Sequence, residues 1–88
     1  MSNINEIEVT YQSERARIGE VYSQEIAWAI ENMTQLVILV YSDGTVEDFE
    51  GICRKCKSYT SFSEFYDING NILACVANDI IKCTYFYS

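Results

Sequence analysis

The order of apolar and polar positions divides this chain into segments of different period. "EIEVTYQ" (6–12) alternates Ile7, Val9 and Tyr11 with Glu8, Thr10 and Gln12, which predicts a half-buried strand. Ser13 then stands where a helix cap is expected. Ile18, Tyr22, Ile26, Ala29/Ile30 and Met33 recur every three or four residues, the apolar stripe of an amphipathic helix over 14–33. Trp28 falls off that stripe. Leu36 to Tyr41 are continuously apolar, as expected of a central strand covered on both faces.

Asp43-Gly44 reads as a two-residue hairpin, because glycine takes the positive φ such turns need. The strand predicted after it carries Val46, Phe49, Ile52 and Cys53, which do not share one parity; a bulge near Phe49 or Gly51 reconciles them. A β-rich run follows at 58–67, then Asn69-Gly70 as a second hairpin, then strands over 71–77 and 80–87. The expected fold is α+β: one main N-terminal helix on a five- to six-stranded antiparallel meander.

Length and charge narrow the functional classes. The 88 residues suffice for one domain (1–88) with a small core, which dimerisation or a partner would help. No run approaches the roughly 20 apolar residues of a membrane span, and "MSNINEIEVT" lacks the basic start and apolar segment of a secretory signal. The expected compartment is the cytoplasm, with the four cysteines as thiols. The net charge of −7 is uneven: residues 1–50 hold ten acidic and two basic side chains, residues 51–88 three and four. An acidic half repels duplex phosphates and suits a basic protein surface. It also serves solubility alone.

The available chemistry is sparse. There is no histidine, which removes the commonest general base and every His-containing zinc site. No glycine-rich phosphate loop is present, and no cofactor is expected. Glu47, Asp48 and Glu50 beside a tight turn read as solvated rather than as a hydrolytic pair in a cleft. The expectation is therefore a non-enzyme. Cys53 and Cys56 form a CxxC, but Cys75 and Cys83 lie on two different predicted strands. Zinc at these four competes with four small hydrophobes in or near a sheet.

Two binding surfaces are expected. The first is acidic: Asp43, Glu47, Asp48 and Glu50 as phosphate surrogates, extended by Glu20, Glu25 and Glu31 of the helix, with Trp28 and Tyr41 as apolar anchors. The alternative is basic: Arg54, Lys55, Lys57 and Tyr59, able to neutralise and stack a single nucleic-acid strand. Tyr85, Phe86, Tyr87 and Tyr41 are candidates either for an exposed aromatic surface or for the core that a six-stranded sheet needs.

Two resemblances add to this. From Gln35 to Tyr87 the pattern resembles a small Sm-like or SH3-like barrel: an aliphatic strand into Asp43-Gly44, a bent strand at Gly51, then Asp67 and Asn69-Gly70, then a short "AND" turn into the last strand. That likeness implies a closed barrel and an oligomeric module binding RNA or a nucleotide. The whole chain is similar in size, acidity and helix-plus-sheet make-up to small phage-type inhibitors, the anti-CRISPR proteins and uracil-DNA glycosylase inhibitors, and to toxin-immunity proteins. This second likeness implies a non-enzymatic protein whose carboxylates occupy the cationic groove of a host nucleic-acid enzyme. A third expectation is an assembly protein that lends a sheet edge to a partner strand.

Overall fold

The computed structural model describes residues 4–88, with side chains from Tyr11 onward. Its elements are α1 (Ile4–Val21), α2 (Ser23–Glu31), β1 (Leu36–Tyr41), β2 (Lys55–Ser58), β3 (Phe62–Tyr66), β4 (Ile72–Ala77), a short 3-10 turn (Asn78–Ile80) and β5 (Ile81–Tyr87). The fold is α+β, with the helices N-terminal. The strand expected over 6–12 is helical instead. Ile7, Tyr11 and Ile18 also sit at helical spacing, and no glycine or proline separates 12 from 14, so the 3.6 period extends back over the alternating run. Ser13 lies inside this helix rather than capping one. The single helix expected over 14–33 is two, joined at Tyr22.

The strands form two antiparallel sheets, β1–β5 and β2–β3–β4, rather than one meander, and they do not close into a barrel. Chain direction changes at Asn78. Its N–H donates to Ser61 O (3.0 Å), its Nδ2 to Tyr59 O (2.7 Å), and its Oδ1 accepts from Ser63 Oγ (2.6 Å). Pinned there, the chain turns away from β4, and β5 pairs with β1 from Leu36↔Tyr87 to Val40↔Cys83.

Strand β1 lies in the middle of three layers, as its unbroken apolar run requires. One face, Leu36, Ile38 and Val40, joins Tyr85 and Tyr87 beneath Ile18 and Ala29 of the helices. The other, Val37 and Leu39, packs on Cys53, Phe65 and Val76 of the three-stranded side. Each such aliphatic burial contributes about 1.5–3 kcal/mol over an exposed position. Trp28, expected off the stripe, is half-buried against the helix-side core, whereas Ile30 and Met33 face solvent. The kink at Tyr22 turns α2 so that 26, 28 and 29 face the sheet.

Helix α1 is fastened to β5 by polar contacts. Tyr85 Oη donates to Glu14 Oε1 (2.5 Å), Lys82 Nζ to Glu14 Oε2 (2.9 Å), Arg15 Nη2 to Phe86 O (2.6 Å) and Tyr87 Oη to Arg15 O (2.7 Å). Tyr85 and Tyr87 are therefore core residues rather than part of an aromatic surface; Phe86 alone of the three is exposed.

Both glycine turns form, each one residue longer than expected. Tyr41 N bonds to Thr45 O and Asp67 N to Asn71 O, enclosing three residues that end in Gly44 (φ 90°) and Gly70 (φ 83°). In each loop an aspartate accepts from backbone N–H groups: Asp43 from Thr45, Asp67 from Asn69 and Asn71.

Candidate functional site: an acidic groove

The segment after Gly44 is not a regular strand. It bridges β1 at Val40↔Val46, and Glu47 N donates to Leu39 O and Val37 N to Cys53 O. Residues 48–52 are left opposite the single residue Ile38, so they bow outward where the sequence called for a bulge. Phe49 holds the bow inward, 5.6 Å from the Phe65 ring, while Asp48 and Glu50 point to solvent.

The bow forms one wall of a groove of about 190 Å³. The other wall comes from Tyr22 and Glu25, and Leu36 and Val37 lie at its base. Four of the expected acidic residues, Glu25, Glu47, Asp48 and Glu50, thus meet from two segments distant in sequence, with no cation among the described lining residues. Tyr22 senses them: burial first, then the Asp48 and Glu25 carboxylates, push its hydroxyl above the ordinary tyrosine value. Periodicity assigned Tyr22 to the core stripe, and nothing in its spacing marked it as a groove residue.

The remaining acidic candidates disperse. Glu20 and Glu31 are exposed but do not line the groove. Asp43 sits at the turn tip, where the Thr45 hydroxyl (2.6 Å) and N–H (3.0 Å) hold its carboxyl below the usual range. Tyr41 is half-buried, and its hydroxyl donates to Glu47. That bond, ahead of burial, pushes the Tyr41 hydroxyl to about 12. Tyr41 therefore positions Glu47 rather than presenting an apolar anchor. Among the described residues the one ion pair is Lys82–Glu14, so no groove carboxylate is neutralised by a lysine or arginine.

The basic candidates form a separate surface. Arg54, Lys55 and Lys57 line a shallow cleft of about 360 Å³ with Tyr66, Asp67 and Asn69. Lys57 pairs across the sheet with Glu64. The Tyr66 hydroxyl (2.6 Å) and then Tyr59 hold the Glu64 carboxyl below its usual range, and Tyr59 stacks on Phe62 at 4.8 Å. A carboxylate thus stands among the cations and aromatics expected to bind a nucleic-acid strand.

The cysteines do not converge. Cys53 is buried between the sheets, Cys56 partly buried beside it, Cys75 exposed on the outer face of β4, and Cys83 beneath α1. β4 and β5 are not neighbours, which separates Cys75 from Cys83. Among the described residues no three cysteine or acidic side chains are placed to hold a metal ion. Burial raises the Cys53 thiol to about 11 and the Cys56 and Cys83 thiols in the same direction, against thiolate formation. No described helix is long and apolar enough to cross a membrane.

No protein-family model, no curated protein and no solved structure matches this chain.

Proposed function

We propose that this protein is a stoichiometric, non-enzymatic binder that occupies the cationic surface of a nucleic-acid-processing enzyme, in the manner of small phage-type inhibitors. One observation carries the reading. Carboxylates from α2 and from residues 47–50 line a single groove with no compensating cation among the described residues. Anionic groups grouped on a fixed frame present a basic site with charge it normally receives from phosphates, and they steer association from a distance.

Glu47 carries the Tyr41 hydrogen bond, so reversing it would disturb the fold. Asp48 and Glu50 are exposed and make no such contact, which makes them the better test pair. Tagged wild-type protein and the Asp48→Lys/Glu50→Lys variant are used as bait in host lysate, with and without added nuclease. The expected result is a nuclease-resistant basic protein held by the wild type and lost by the variant, with equal thermal midpoints. Equal capture by both would overturn the assignment. Co-purifying RNA that nuclease removes would shift the site to Arg54, Lys55 and Lys57.

A further inference from the structure

Among the described residues the sheets have three outer edges, and two of them are guarded against strand addition. β2 carries Lys55 and Lys57. β5 carries Lys82, and the Phe86 carbonyl is already taken by Arg15 Nη2. The edge of β1 away from β5 is occupied by the 46–53 segment. β4 differs. Ile72–Ala77 contains no charged residue and no proline, the two commonest edge guards. A bulge at Leu73, where Phe65 pairs with Ala74 and Tyr66 with Ile72, bends only the start of the strand and leaves 74–77 regular.

The direction of the free hydrogen-bonding groups follows from alternation. Asn78 N–H donates to Ser61 O across to β3, so Val76 and Ala74 also face β3. The N–H and C=O groups of Cys75 and the N–H of Ala77 therefore point away from the sheet, while the Ala77 carbonyl, at the N-cap of the 3-10 turn, starts that turn's own hydrogen bonding. The beginning of this edge adjoins the acidic bow, since a Cβ added at Gly51 would lie 3.5 Å from Leu73 Cδ2.

We infer that β4 accepts an extended segment of the partner as an antiparallel fourth strand, whose cationic carboxyl-terminal side then reaches Asp48 and Glu50. The proposal rests on the acidic-groove reading and specifies its partner: a β-prone stretch followed by lysine or arginine. Pairing on Cys75 and Ala77 supplies main-chain hydrogen bonds, and the bow supplies charge selectivity. A second copy of the chain brings net charge −7 to the same edge, and its basic cluster, Arg54, Lys55 and Lys57, is already folded at and beside β2 instead of trailing an extended segment, so charge favours the basic segment over self-pairing.

Ala77 offers a clean test. Its φ is −64°, the value proline imposes, and its N–H faces outward, so Ala77→Pro removes the edge donor without straining the strand. The probe is a synthetic peptide of alternating threonine and valine with paired lysines at its carboxyl end, followed by amide NMR and hydrogen exchange. Wild-type protein should show slowed exchange at Cys75 and Ala77 and shifts at Asp48 and Glu50. Moving the lysines to the amino end should weaken binding. Ala77→Pro should weaken it about tenfold, the worth of one hydrogen bond, at an unchanged thermal midpoint. The proposal is overturned by equal binding by Ala77→Pro, by no binding, or by slowed Cys75 and Ala77 exchange in concentrated protein without peptide, which would give the edge to a second copy. Shifts confined to Asp48 and Glu50 would also overturn strand addition while leaving the groove reading standing, and that reading is decided separately by the Asp48→Lys/Glu50→Lys bait.

Discussion

Glu14 shows how one side chain joins two layers. Its carboxylate accepts from the buried Tyr85 hydroxyl and from Lys82, and these bonds, Tyr85 first, hold its pKa below the ordinary 4.5. Glu14→Ala leaves the Tyr85 hydroxyl without its acceptor and should cost about 1–3 kcal/mol at neutral pH in chemical denaturation. Glu14→Gln retains an acceptor and should cost less. A lowered folded-state value means the contribution of ionised Glu14 is complete above the unfolded value and is lost as pH falls through the folded one. The gap between wild type and Glu14→Gln should therefore close on acidification below pH 4.5; a gap that stays constant with pH would show that the charge contributes nothing. The pattern assigned Glu14 only to the start of a helix, because its partners lie 68 and 71 residues away.

At the scale of elements, the end of α2 carries a conformational cost. Thr34 N bonds back to Ala29 O and Met33 N to Ile30 O, a helix-ending pattern whose turning residue is usually glycine. Here it is Met33, at φ 55° and 94 % exposed. A left-handed backbone costs a side-chain-bearing residue about 1–2 kcal/mol, and an exposed methionine makes no contact to offset it. Met33→Gly should stabilise the fold by about 1 kcal/mol, raising the thermal midpoint by about 4–8 °C. A fall in midpoint would mean that the Met33 side chain packs in solution. The same region shows what local pattern can and cannot settle. Period alone placed Ile30 on the buried stripe and Trp28 off it; the break at Tyr22 reversed them, and no residue type at 22 announces a break. The 6–12 segment failed differently, since alternation and helical spacing coincide at Ile7 and Tyr11 over so short a run.

For the whole molecule, the three layers set the environment of each thiol. Cys53 lies between the sheets, Cys83 beneath the helix, and Cys75 on the outermost strand. A thiol reagent applied to native protein at pH 8 should label Cys75 first and Cys53 only on unfolding, read by peptide mass mapping. Early labelling of Cys53 would contradict the packing of β1 against the three-stranded sheet. The same layering separates the charges: the acidic bow and α2 wall form one surface, and Arg54, Lys55 and Lys57 line another cleft.

By itself the sequence determined what depends on local period and residue chemistry. The buried run of β1, the glycine turns at 44 and 70, the irregularity near Phe49 and the acidic first half are all legible there, because each is encoded within a few neighbouring residues. Tertiary structure decided the pairing of β5 with β1, the separation of the four cysteines, the meeting of Glu25 with Asp48 and Glu50, and the unguarded edge of β4. Those features join positions far apart in the chain, and their geometry is set by which surfaces the core must cover. No local pattern carries that information.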